Sequence, residues 1–210
     1  MKHKPNPNRA LTRNIAAMLQ LASVADIENG VEWYARAGRL GKRLAETYGC
    51  TLEQSVGVIA ALSPNNKWAR NCQDAESCIK AWSLGRDVLS VVCCTYPLMQ
   101  DKAKRILDLS NPSREEVASI LNGRKISAFA LSILGEASAV CVDGHAFAIW
   151  LGERVPTTKT PSLGKKLYAR IAADYCTVAK RSRAICGHEL TAAQVQAVTW
   201  VTYRRISGIK

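Results

Sequence analysis

Ser113-Arg114-Glu115-Glu116-Val117-Ala118-Ser119-Ile120-Leu121-Asn122-Gly123-Arg124-Lys125 is one helix start, one helix and one tight turn in sequence. Ser113 with Glu116 three residues on is a capping-box signature, and Asn111-Pro112 ahead of it breaks whatever precedes. Asn122-Gly123 ends that helix, and an apolar helix from Ile126 to Leu134 follows, stopped by Gly135. Cys141-Val142-Asp143-Gly144-His145-Ala146-Phe147-Ala148-Ile149-Trp150 then places an acidic cap before another apolar helix. A lysine therefore stands at one helix start and an aspartate at the next. The positive end of a helix dipole disfavours an ammonium and so favours the neutral amine that can attack an electrophilic carbon. An aspartate held by backbone N–H groups is a fixed carboxylate, able to stabilise positive charge or to accept a proton.

Outward from this stretch the period of apolar residues is helical. The spacing predicts helices from about Ala10, over 30–48, from Thr51 to Leu62 with Gln54 completing a cap, and from Pro64 to Trp82. Further helices fit 87–93, 99–108, 113–121, 124–134, 144–152, 162–180 and 191–206. Val56 to Leu62 is apolar on every face and belongs in the core. Only Val88–Cys94 and Ala139–Val142 have any extended character, and the first reads equally as helix. The expected class is all-α, with about ten short helices. Trp33, Tyr34 and Trp68 read as core aromatics before stacking platforms.

The chain carries 29 Lys+Arg against 17 Asp+Glu, a net charge of +12. Such a surplus points to a polyanionic partner, because each cation placed on a phosphate releases a counterion. Eight cysteines are present, but no Cys-x-x-Cys spacing, so neither a zinc nor an iron–sulfur site is expected, and no cofactor. Several sit in apolar context and read as small buried hydrophobes. Residues 1–9 read as a flexible basic arm without a signal-peptide core, and no apolar run reaches membrane-spanning length. These features lead us to expect a reduced, cytoplasmic, monomeric protein away from the membrane.

Gly123-Arg124-Lys125 followed by Val142-Asp143-Gly144-His145-Ala146-Phe147 resembles the helix-hairpin-helix DNA glycosylase superfamily, the endonuclease III type in particular. Val58-Ile59-Ala60-Ala61-Leu62-Ser63-Pro64-Asn65-Asn66 is similar to that family's apolar helix and Leu-Ser turn. Lys102-Ala103 and Ile106 resemble the helix before its hairpin. The resemblance implies residues 10–210 as one helical domain of two lobes with a cleft between them. It implies duplex DNA with a flipped base as partner, Lys125 as Schiff-base nucleophile and Asp143 as the essential carboxylate. It also implies DNA contacts from Asn65 and Asn66 at the flipped-base gap, from Asn122, Gly123 and Arg124 in the hairpin, and from His145 and Arg204. The family's hairpin usually reads Leu-Pro-Gly-Val-Gly, where this chain has the shorter Leu121-Asn122-Gly123. A group of phage enzymes is similar in outline; these are proposed to elaborate 5-pyrophosphorylmethyl-deoxyuridine with an amino acid or amine, and would act in the host cytoplasm. The resemblance leaves three functions open: a glycosylase with or without lyase activity, such a transferase, and a non-catalytic DNA-binding module.

Overall fold

The computed structural model describes residues 11–156 and 159–209. The arm at 1–9 lies outside them, so that expectation has no counterpart here. Among the described residues there are eleven α-helices, one 3₁₀ turn and no strand. The chain divides into two compact units, one of residues 1–35 with 136–210 and one of residues 36–135.

The second unit is built on the helix that the sequence reads as core. Helix α3 (Leu52–Ala61) is buried from Gln54 to Ala61. It packs against α4 (Trp68–Ser83), α5 (Pro97–Leu107), α6 (Arg114–Leu121) and α7 (Arg124–Ile133). Gly57 lets the neighbours in: a Cβ there would lie 2.7 Å from Val117 and 3.0 Å from Ile106. The Thr51 cap forms as the sequence predicts, with the Gln54 side chain returning to the Thr51 N–H at 2.8 Å. The other end of that amide does more, since Nε2 donates to the carbonyls of Leu107 and Leu109, both at 2.9 Å. One buried side chain thus closes the start of α3 and the end of α5.

The first unit takes α1 (Thr12–Gln20), the N-terminal part of α2 (Val24–Tyr48), α8 (Gly144–Leu151), α9 (Lys165–Ala179), α10 (Ser182–Cys186) and α11 (Ala192–Ile206). Its core joins Ile15, Leu19, Phe147, Trp150, Ile171, Tyr175, Val195 and Val198 among others. Asp174, 3% exposed, accepts from the Leu11 N–H and from the buried Trp150 indole N–H, at 2.9 and 2.8 Å. A carboxylate this deep is held by donors rather than by water.

Several element boundaries differ from the sequence reading. Helix α2 starts at Val24, not residue 30, because Ser23 and Asp26 cap it reciprocally and Gly30 lies inside it. Gly30 belongs there for packing: a Cβ would lie 2.5 Å from the Val198 Cα, so α2 and α11 meet backbone to backbone. Helix α4 starts at Trp68 rather than Pro64, since Asn65 turns left-handed at φ 57. Residues 87–93 yield only a 3₁₀ turn, Val88–Ser90, with the Val88 and Val91 carbonyls taken by the Gln100 side chain. Residues 139–142 are a buried connection instead of a strand. Tyr168 serves their backbone, its hydroxyl accepting from Val142 N–H and donating to Val140 C=O. The short α10 was not anticipated, having too few residues for a periodic pattern.

Candidate functional site

In the first unit, Asp143 caps α8 as its sequence context predicts. Oδ1 accepts from the Ala146 N–H at 2.7 Å, and Oδ2 accepts from the Trp200 indole N–H at 3.0 Å. Both oxygens are oriented, yet each keeps acceptor capacity, because an ionised carboxylate has about four lone-pair sites. The residue is only half-buried, so the group is fixed without being sealed off.

Aromatic rings surround that carboxylate's partner. The Trp200 ring lies 6.2 Å from Trp33 and 6.1 Å from His145, both edge-on, and His145 lies 5.4 Å from Tyr203. The Arg204 guanidinium sits 4.5 Å over the Trp200 ring centre. Trp33, His145, Trp200 and Arg204 are all half-exposed. Below them Tyr175 is fully buried and donates to the Ala146 carbonyl. Burial pushes its phenol well above the usual range, and the Asp143 charge adds to this.

Helix geometry explains the convergence. Trp200, Tyr203 and Arg204 stand at i, i+3 and i+4 on α11, one face of one helix. Asp143 and His145 begin α8, which packs against α11. Of the sequence candidates, Asp143, His145 and Arg204 therefore come together. The neighbouring Arg205 does not join them on a solvated basic face. It turns to Asp26, 2.7 Å away and almost wholly buried, and to the Leu21 carbonyl. Burial pushes the Asp26 carboxyl up, but hydrogen bonds from Arg205 and Ser23 outweigh it and hold the group below its ordinary value.

In the second unit, α6 and α7 are joined by Asn122-Gly123. Asn122 takes the left-handed conformation, φ 42, while Gly123 is extended, so the asparagine and not the glycine makes the turn. Lys102 donates to the Leu121 carbonyl and holds the end of α6. Arg124 and Lys125 open α7 with exposed side chains. Lys125 is thus at the helix start that the sequence predicts, but burial does not strip it of water. Asn65 and Asn66 occupy the turn before α4 and differ from each other. Asn65 is exposed, whereas Asn66 donates to the Leu62 carbonyl and to buried Asp74.

Among the described residues no three His, Cys, Asp or Glu side chains gather closely enough to hold a metal ion. No helix there is long and apolar enough to cross a membrane.

A family model matches residues 1–207. The chain belongs to DUF7178, a family of unknown function. No curated protein and no solved structure matches it. What sets out the site in this DUF7178 member is therefore its own geometry. The residue that sequence reasoning missed is Trp200, the second partner of Asp143. Its signal is the spacing of Trp200, Tyr203 and Arg204 inside the helix that the sequence places at 191–206. The pairing of Trp200 with a residue 57 positions away has no local signature.

Proposed function

We propose that this chain modifies a base in DNA, with Asp143 as the carboxylate at the reacting nucleotide. The observation that carries the proposal is the Asp143 carboxylate, held by the Ala146 and Trp200 N–H groups beside half-exposed rings and Arg204. A fixed negative group suits a sugar ring that gains positive charge as its base departs. Half-exposed aromatic faces suit an unstacked base, and Arg204 and His145 suit a phosphate. The net charge of +12 suits a polyanion.

In the fuller form of this reading the chain has the two-lobed helix-hairpin-helix glycosylase fold and works on a flipped base in a duplex. Asn122, Gly123 and Arg124 contact a phosphate, and Asn65 and Asn66 enter the gap that the base leaves. Lys125 attacks the anomeric carbon of the sugar. Its nitrogen–carbon bond forms as the base leaves with the glycosidic electron pair, and ring opening gives the Schiff base. Lys125 is exposed, so this is the more demanding step of the reading.

Borohydride trapping on duplexes carrying modified and unmodified bases tests the proposal. A covalent complex that Lys125→Ala abolishes is expected for the glycosylase–lyase. Base release should fall by about a hundredfold or more in Asp143→Asn, the scale of removing one group that stabilises a charged transition state. A mass gain on a pyrophosphorylmethylated base with an amino acid present, and no trapping, would assign the transferase instead. DNA binding unchanged by Asp143→Asn, with no chemistry on any of these duplexes, would leave a binding module and overturn the proposal.

A further inference from the structure

Residues 91–95, between the 3₁₀ turn and α5, form an irregular strap along α4. Three α4 side chains at i, i+4 and i+8 hold it. Arg70 donates to the Val92 carbonyl at 3.1 Å, and Asp74 accepts from the Cys94 N–H at 2.8 Å. Cys78, with no exposed surface, lies with its Sγ 3.4 Å from the Sγ of Cys93. The strap also reaches the turn before α4, where Thr95 donates to the Pro64 carbonyl.

We propose that Cys78 and Cys93 are a redox-active dithiol, which a small-molecule disulfide converts into an intramolecular disulfide tying the strap to α4. The sulfurs need to close to the ~2.0 Å of an S–S bond. That movement is small, because the hydrogen bonds on either side of Cys93 already fix its register. Cys94 is the neighbour that a looser strap would offer instead, but its N–H is committed to Asp74 and its side chain is exposed.

The order of attack follows from access. Cys93 is half-buried and Cys78 wholly buried, so Cys93 meets the reagent first. The hydrogen bond with Cys78 holds the Cys93 thiol below its ordinary value, with help from Arg70, and neither burial nor the Asp74 charge cancels this. The same bond, together with burial, pushes Cys78 up. The Cys93 thiolate attacks one sulfur of the reagent; the reagent's S–S bond breaks and its first thiolate leaves, taking a proton from water. The Cys78 sulfur then attacks the Cys93 sulfur, and its proton passes to the departing sulfur, which leaves as the second thiol. Two electrons pass to the reagent, which ends as two thiols, and the protein gains one S–S bond.

The consequence reaches the turn that carries Asn65. Asp74 holds Asn66 and the Cys94 N–H with the same oxygen, so strap and turn share an anchor. Oxidation should stiffen both. The dithiol does not rest on the proposed DNA chemistry, and its test is independent of it.

The protein is incubated with oxidised glutathione, alkylated and mapped by mass spectrometry. The expected product is lighter by about 2 Da, the two lost hydrogens. It should carry a peptide linking Cys78 to Cys93, revert with dithiothreitol, and unfold at a higher temperature than the reduced protein. Cys94→Ser should retain the product and Cys93→Ser should lose it. Cys78→Ser should lose it too, and the half-buried Cys93 keeps the test valid where a buried serine at 78 prevents folding. A Cys78–Cys94 link, a glutathione adduct that persists on wild-type Cys93, or unmodified thiols under conditions that oxidise the other cysteines would each overturn the proposal.

Discussion

Asp143 shows how one side chain's role depends on a partner far away in sequence. Its cap on α8 is local, but the Trp200 indole fixes the second oxygen. Trp200→Phe removes the indole donor while leaving an aromatic ring, smaller by the five-membered half, at the same place on α11. Under the proposed chemistry the expected result is a loss in single-turnover rate of about tenfold, the worth of ~1.4 kcal/mol in the barrier. Thermal stability should fall as well, through the lost ring area, so the rate is compared at a temperature where both proteins are folded. A variant as fast as wild type would show that Trp200 does not orient the carboxylate. Arg205 and Asp26 give a second prediction at this scale. Asp26 titrates below its ordinary value in the folded protein, so its stabilising share is present above the unfolded value of ~3.9. That share is lost as pH falls through the lower folded value. Removing Arg205 leaves a buried carboxylate without its cation, and Arg205→Ala should lower the urea midpoint at neutral pH. The variant should also lose the part of the wild-type pH dependence below about pH 4 that Arg205 gives Asp26. Urea unfolding at several pH values measures both.

At the scale of elements, two devices join helices that are distant in the chain. The first is Gln54, whose amide closes α5 while its oxygen closes α3. Gln54→Ala orphans one buried and one part-buried carbonyl and one cap donor, and should destabilise the protein by about 2–4 kcal/mol in urea unfolding. The second is Gly30, where α2 meets the backbone of α11. A methyl group 2.5 Å from the Val198 Cα and 2.6 Å from its N meets backbone that no side-chain rotation can clear, so the helices themselves must part. Gly30→Ala should cost about 2 kcal/mol or more despite the better helix propensity of alanine. Since α11 also carries Trp200, the same variant should blue- or red-shift tryptophan fluorescence in the folded state; an unchanged spectrum with unchanged stability would refute the tight contact. Legibility at this scale divides by what makes each helix. Capping boxes at Thr51, Ser113 and Thr191 are written within four residues, and those helices start where the sequence places them. Helix α2 was read short because glycine lowers helix propensity locally, while the close contact that requires Gly30 comes from a helix 168 positions later.

At the scale of the whole molecule, the net charge of +12 governs association. Under the DNA reading, binding measured by fluorescence anisotropy should weaken steeply with salt. A protein making about six phosphate contacts loses roughly a thousandfold between about 50 and 200 mM salt. Affinity that barely responds to salt would argue against a phosphate-tracking surface. The sequence by itself determined that the protein is helical, that α3 is the buried helix, and that Lys125 and Asp143 open successive helices, because period, turn chemistry and capping act over a few residues. Only the tertiary structure decided that Trp200, His145 and Arg204 gather around Asp143, and that Arg205 instead staples Asp26. It likewise decided that Lys125 is exposed, and that Cys93 rather than Cys94 faces Cys78. Those outcomes depend on which helix faces pack together and at what rotation. A chain's local pattern records that a face is apolar, but not which residue from a distant element will lie against it.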